Sequence, residues 1–234
     1  MERYNIPESW GAFLFDMDGT LYTNRAYMQF QIHSSIERLA RLRGTSFEAM
    51  QGAITAYQET WAQTHQGQRV SLGNTLVHFG VSIKESIRWR EELYEPEVYL
   101  KADPKLRETL KRLGATHVLA VVTNNPVLVA RKPLAALGVE DRFQGIVGLD
   151  TCLVSKPHAA PFLKAVELCG VSPWACVSVG DRYDIDIALP LTLGMGGILV
   201  AGVEDVYQLG CEEDSMCFSS LETLSRLGRC ITRW

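Results

Sequence analysis

The sequence predicts an α/β fold: a doubly wound, Rossmann-like parallel sheet core with an inserted all-helical cap domain. Three observations lead there. The apolar runs AFLF before Asp16, VLAVV before Thr123 and ACVSV before Gly180 and Asp181 all stop at polar residues. Near-continuous apolar runs of this length belong to strands covered on both faces. Amphipathic helix patterns alternate with them, as parallel crossovers require. Between Tyr22 and about Lys101 that alternation breaks, and one helix pattern follows another.

Taken in order, the leading MERYNIPESW has charges and a proline where a signal peptide needs a basic patch and an apolar stretch. AFLF is the first strand. The inserted unit begins with a helix bearing Ile32, Ile36, Leu39 and Ala40 on one face. Thr45 and Glu48, at capping-box spacing, open a second helix with Phe47, Met50, Ile54, Tyr57 and Trp61 on its apolar face. Leu72, Leu76 and Phe79 mark a third, ended by Gly80; Ser82 with Glu85 opens a fourth, carrying Ile83, Ile87 and Leu93. In YEPEVYLKADP, Pro96 and Pro104 interrupt helix continuation, so residues 94–104 read as the return linker. The core then resumes with helix patterns at Pro104 to Leu113, at Pro126 to Leu137 before Gly138, and at Pro161 to Cys169 before Gly170. Between them lie the strands VLAVV, GIVGL (145–149), ACVSV and GGILV (196–200). The division that follows is residues 1–22 and 102–234 for the α/β core and 23–101 for the helical cap.

At 234 residues and 47% hydrophobic, the chain buries a substantial core. Its 23 basic and 27 acidic residues are intermixed, for a net charge of −4. No basic stripe can neutralise the phosphates of a nucleic acid polymer, so that partner class is disfavoured. No run reaches membrane-spanning length, and a cytoplasmic location is expected. Cys152, Cys169, Cys176, Cys211, Cys217 and Cys230 show no C-x-x-C pair and read as reduced, packed thiols.

Ligands of open parallel sheets bind beyond the carboxyl ends of the strands, where residues distant in sequence converge. Asp16 and Asp18, Thr123, Lys156 of SKP, and Asp181 of GDRYDID fall at such places. At roughly 4 kcal/mol of repulsion per carboxylate pair at 4 Å and an effective dielectric near 20, the acidic group must bind a cation or hold protons. An all-oxygen donor set selects Mg²⁺. The histidines show no metal-ligand spacing.

With DMDGT, the threonine ending VVT, the lysine of SKP and the GD of GDRYDID in that order, the chain resembles a haloacid dehalogenase superfamily phosphatase with a helical cap inserted after the first strand. The resemblance implies a Mg²⁺-dependent phosphomonoesterase working through an aspartyl-phosphate. Asp16 is then the nucleophile, and Asp18 the general acid and base. The side chains of Asp16 and Asp181 with the Asp18 carbonyl hold Mg²⁺, while Thr123 binds a phosphoryl oxygen. Lys156 neutralises charge at Asp16, and Asp186 orients Lys156 or a metal-bound water. Gly19 permits the sharp turn that presents amides to phosphate, and Asn124 is a phosphate-binding or supporting residue slightly preferred over Asn125.

Tyr22, Asn24, Arg25 and Tyr27 occupy the hinge passing over the site and are substrate-contact candidates; Arg25 and Arg69 are candidates for selecting an anionic substrate group. The partner is a small phosphorylated metabolite: a nucleoside monophosphate, sugar phosphate, phosphoglycolate-like acid or pyrophosphate. Alternatives are a phosphomutase using the same aspartyl-phosphate chemistry, or a phospho-accepting signalling or binding module without turnover. The helical insertion and Asp18 disfavour the signalling module.

Overall fold

The computed structural model of the protein describes residues 1–65, 67 and 70–210. Arg69, Cys211, Cys217 and Cys230 lie outside the described residues. Six strands form one sheet: β1 (Glu2–Tyr4), β2 (Ala12–Phe15), β3 (Val118–Val122), β4 (Gly145–Val147), β5 (Cys176–Gly180) and β6 (Gly196–Leu199), in the order β1-β6-β5-β2-β3-β4. Five are parallel, as the apolar runs imply, and β1 joins β6 antiparallel, with Glu2 opposite Leu199 and Tyr4 opposite Gly197. The sheet is therefore mixed. Glu2, Arg3 and Tyr4 lack an apolar run because this edge strand is largely exposed.

Strand pleating sends alternate residues to opposite faces. Phe13 and Phe15 join Leu119, Val121, Val177 and Val179 in one buried cluster; Ala12 and Leu14 join Ala120, Val122 and Phe162 in another. The first cluster includes Leu106, Leu110 and Leu113 of α5 (Pro104–Gly114), and the second Phe162, Ala165 and Val166 of α8 (Ala159–Cys169).

Between β2 and β3 run α1 (Arg25–Arg43), α2 (Phe47–Thr64), α3 (Leu72–His78) and α4 (Ile83–Leu93). They share a hydrophobic cluster that includes Ile36, Leu39, Met50, Ile54, Leu76 and Trp89. Three expectations shift here. The cap of α2 is Ser46, whose side chain accepts from the Ala49 N–H, so the start lies one residue past Thr45. Ile32 is half-exposed although it shares a helix with buried Ile36 and Leu39. On α4 the buried residues are Ser86, Trp89 and Arg90, while Ile83, Ile87 and Leu93 are only partly buried. The core continues through α6 (Val127–Ala136), α7 (Leu149–Cys152), α8, a single π-helical segment Tyr183–Ile187, α9 (Ala188–Thr192) and α10 (Val203–Val206).

Phe15 pairs with Val121 on one side and Val179 on the other. That register brings the ends of β2, β3 and β5 level, so Asp16, Thr123 and Asp181 emerge at one edge of the sheet.

Candidate active site

Asp16 leaves β2 with its N–H bonded to the Val179 carbonyl at 2.8 Å. The chain then folds back over Met17 to Tyr22, with Leu21 N–H on Met17 O and Gly19 N–H on Tyr22 O, both at 2.9 Å. Gly19 has φ +89°, and a Cβ there would stand 2.4 Å from Asp181 Oδ2. Glycine is thus required both for the turn and for the close approach of the second acidic loop.

Lys156 is 2% exposed and donates from Nζ to Asp16 Oδ1 at 2.7 Å and to Asp186 Oδ1 at 2.6 Å. Burial opposes its charge, and the two carboxylates more than offset that, holding the ammonium above the usual lysine range. Its position is set from the strand end: Asn124 Oδ1 accepts from the Lys156 N–H at 2.7 Å, and Asn124 Nδ2 donates to the Lys156 carbonyl at 3.2 Å. Asn124 is therefore a clamp on the lysine loop. Thr123 is buried and its Oγ1 accepts from the Asn125 N–H at 3.1 Å, which leaves its own O–H free to donate into the site.

Asp18 lies in a different environment. Its carboxylate accepts from Gln31 Nε2 at 2.8 Å, from Asn125 Nδ2 at 2.7 Å and from the Tyr22 hydroxyl. None of these three donors carries charge. Burial, followed by repulsion from Asp16, pushes Asp18 above the ordinary carboxylate range despite those hydrogen bonds. Two carboxylates two residues apart are thus differentiated, one against a buried ammonium and one in a neutral cage.

Ligand oxygens of Asp16, Asp181 and Asp186 lie within 4.8 Å of one another. Burial, then Asp16 and Asp186, push Asp181 up to about 7, and its carboxylate accepts no hydrogen bond among the described residues. Burial raises Asp186 too. Asp186 is already engaged, by Lys156 Nζ and by the Arg182 N–H at 3.2 Å. An all-oxygen, mutually repelling donor set with one uncommitted carboxylate fits a hard divalent cation.

The hinge candidates separate. The Tyr22 hydroxyl is committed to Asp18, and burial raises its pKa well above the ordinary tyrosine range, so it stays a donor. Asn24 caps α1: its Oδ1 accepts from the Tyr27 N–H at 3.0 Å and its Nδ2 donates to the Tyr99 carbonyl at 2.9 Å. Tyr27 is 1% exposed and packs in the sheet's hydrophobic cluster. For these two the expectation of substrate contact gives way to helix capping and core packing. Arg25 is exposed at the first turn of α1. Gln31 and Arg90 meet at the site without having stood out in the sequence, and with them stands Asn125, which the sequence placed just behind Asn124. The only signal was a polar side chain at a helical position whose neighbours are buried, such as Arg90 beside Trp89.

A family model described as haloacid dehalogenase-like hydrolase matches residues 10–189. The chain belongs to the haloacid dehalogenase-like hydrolases. Within that family it is a phosphoric monoester hydrolase, as the family match and its relatives support. Its relatives include a phosphoglycolate phosphatase of Xanthomonas campestris pv. campestris, 31% identical over 192 residues, which cover 80% of this chain and 81% of that one. A phosphoglycolate phosphatase of Escherichia coli is 27% identical over 194 residues, 74% of this chain and 75% of the relative. Among solved structures, a haloacid dehalogenase-family phosphatase from Thermococcus onnurineus superposes with a TM-score of 0.55 at 25% identity, over 81% of this chain and 86% of that chain. No helix of the described residues is long and apolar enough to cross a membrane.

Proposed function

We propose that this hydrolase dephosphorylates a small soluble phosphomonoester through a phosphoryl group held transiently on Asp16, with residues 23–101 serving as the cap over the site. The observation that carries this reading is the contrast between Asp16, paired with the Lys156 ammonium, and Asp18, held by Tyr22, Gln31 and Asn125.

The Asp16 carboxylate attacks phosphorus in line with the leaving oxygen, and Asp18 gives its proton to that oxygen as the ester bond breaks. In the second half, Asp18 as a carboxylate takes a proton from the water that attacks the aspartyl-phosphate, and Asp16 is released. Lys156 and the Thr123 hydroxyl offset negative charge on the phosphoryl oxygens. Asp186 fixes the ammonium at 2.6 Å, so Lys156 needs no reorganisation as charge develops. Asp16 and Asp181, with the main-chain carbonyl of Asp18, would hold Mg²⁺. When bound, that ion supplies the positive charge that allows a phosphate dianion to approach an anionic nucleophile.

The relatives' activity makes 2-phosphoglycolate the first ester to assay. The test is inorganic phosphate release from a panel of phosphorylated metabolites with Mg²⁺, run beside Asp16→Asn. The wild type is expected to turn over at least one ester, and Asp16→Asn to lose about 10⁴-fold or more in kcat while keeping its fold. Near-normal rates in that variant exclude the nucleophile. A requirement for a bisphosphate primer, with little phosphate released, marks a mutase instead.

A further inference from the structure

We propose that Arg90 is a specificity-determining residue that pairs with a carboxylate on the alcohol portion of the substrate; this rests on the phosphatase reading above and names the feature of the substrate that the cap selects.

Arg90 lies on α4 and is 3% exposed. Its Nη1 donates to the Asn124 main-chain carbonyl at 2.8 Å and to Asn125 Oδ1 at 3.4 Å, both uncharged acceptors. Its Nε is buried with no hydrogen-bond partner, and among the described residues no carboxylate forms an ion pair with it. Burial disfavours the Arg90 charge, and Asp18 offsets this only through space, without an ion pair, so an arriving anion would gain a desolvated partner. Arg90 also borders a cavity of about 230 Å³ shared with Asp18, Gln31, Tyr94, Asn125 and Arg182. Of its two arginines, Arg182 is already paired with Asp184 at 3.3 Å, which leaves Arg90 with its charge uncommitted.

Asn125 sets the spacing between the two functions. Its Nδ2 donates to Asp18, which protonates the leaving oxygen, and its Oδ1 accepts from Arg90. Asn125 thus bridges the proposed acid and the guanidinium through one amide and two hydrogen bonds, which places both groups at the same cavity and suits a compact ester that carries its carboxylate close to the phosphate. The planar fork of a guanidinium matches a carboxylate in two parallel hydrogen bonds. The cavity is smaller than the roughly 300–1,000 Å³ usual for pockets taking drug-sized ligands, which favours a short acid over a nucleoside.

The competing role for Arg90 is a structural tether that fastens α4 to the turn after β3. The two roles separate in a ratio. We would measure kcat/KM with Mg²⁺ for 2-phosphoglycolate and for its uncharged amide, 2-phosphoglycolamide, in the wild type, Arg90→Met and Arg90→Lys. The wild type is expected to prefer the acid, and the acid-to-amide ratio to fall by about 30-fold or more in Arg90→Met, with a smaller fall in Arg90→Lys. An unchanged ratio, with both esters slowed alike, makes Arg90 a tether and overturns the proposal. So does a wild type that ignores the carboxylate. If Arg90→Met does not fold, Arg90→Lys supplies the ratio. A wild type inactive on these and all other esters removes the phosphatase reading itself, an outcome distinct from activity without charge preference.

Discussion

Asn125 holds Asp18: its amide nitrogen donates to Asp18 Oδ2 across 2.7 Å, linking residues 107 positions apart in the chain. The contact ties Asp18, the proposed general acid on the loop after β2, to the turn after β3, and it aims the carboxyl group through an uncharged donor. Asn125→Ala is expected to lower kcat by about 10–100-fold on alkyl phosphates, whose leaving oxygen needs a proton, and far less on p-nitrophenyl phosphate, which departs as a stable phenolate. Equal losses on both substrates would show that Asn125 serves binding rather than proton transfer. Steady-state kinetics on the two ester types decides.

Lys156 stands between Asp16 and Asp186 with almost no exposure. Lys156→Met leaves two carboxylates beside an apolar side chain, and a buried pair broken on one side costs roughly 3–5 kcal/mol. Urea unfolding is expected to show a loss of that size together with lost turnover. A variant as stable as the wild type would mean that water reaches the carboxylates and solvates them.

The acidic cluster predicts a pH-dependent response to metal. Asp181 is raised from 3.8 to about 7 in the folded protein, which therefore keeps a proton that the unfolded chain has released between those values. In the metal-free protein this contribution to stability is full below 3.8 and is lost as the pH rises through 7. A divalent cation held by this cluster would replace the proton. The rise in Tm on adding Mg²⁺ should thus be larger near about pH 8, where Asp181 is ionised, than near about pH 5.5, where the cation must displace a proton. Asp181→Asn should flatten the difference. Thermal melts at the two pH values, with and without chelator, give the comparison.

Asn24 offers a check on the hinge. Because it caps α1 and anchors the Tyr99 carbonyl, Asn24→Ala is expected to cost about 1 kcal/mol of stability. Its effect on kcat/KM should be similar for every ester tested. A selective loss on one substrate would return Asn24 to the substrate-contact set.

How far the sequence reached differs from one position to the next. Asp16, Thr123 and Asp181 were readable because each follows an apolar run, and a run of that kind marks a strand whose carboxyl end faces the ligand edge. Lys156 was readable only through its motif, since nothing local explains why the chain after α7 should return to β2; the Asn124 clamp does. The caps of α2 and α4 were found to within a residue, because capping depends on neighbours three positions away. The burial of Tyr27 was not readable for the opposite reason: it comes from packing in the sheet's hydrophobic cluster, and no local pattern records that. On α4, apolar periodicity pointed to Ile83 and Ile87, but the buried face is Ser86, Trp89 and Arg90 because the helix packs over a polar site as well as an apolar cluster.

By itself the sequence determined the α/β alternation, the helical insertion and the four strand-end motifs, because hydrophobic periodicity and turn chemistry act over a few residues and are written in them directly. Only the tertiary structure decided which carboxylate meets the ammonium and which sits among Tyr22, Gln31 and Asn125. It also decided that Arg90 of α4 reaches the site with no ion-pair partner among the described residues. Apart from Tyr22, four positions from Asp18, those outcomes depend on contacts between residues 13 to 140 positions apart, and the chain specifies them only once its strands are in register and its helices are packed.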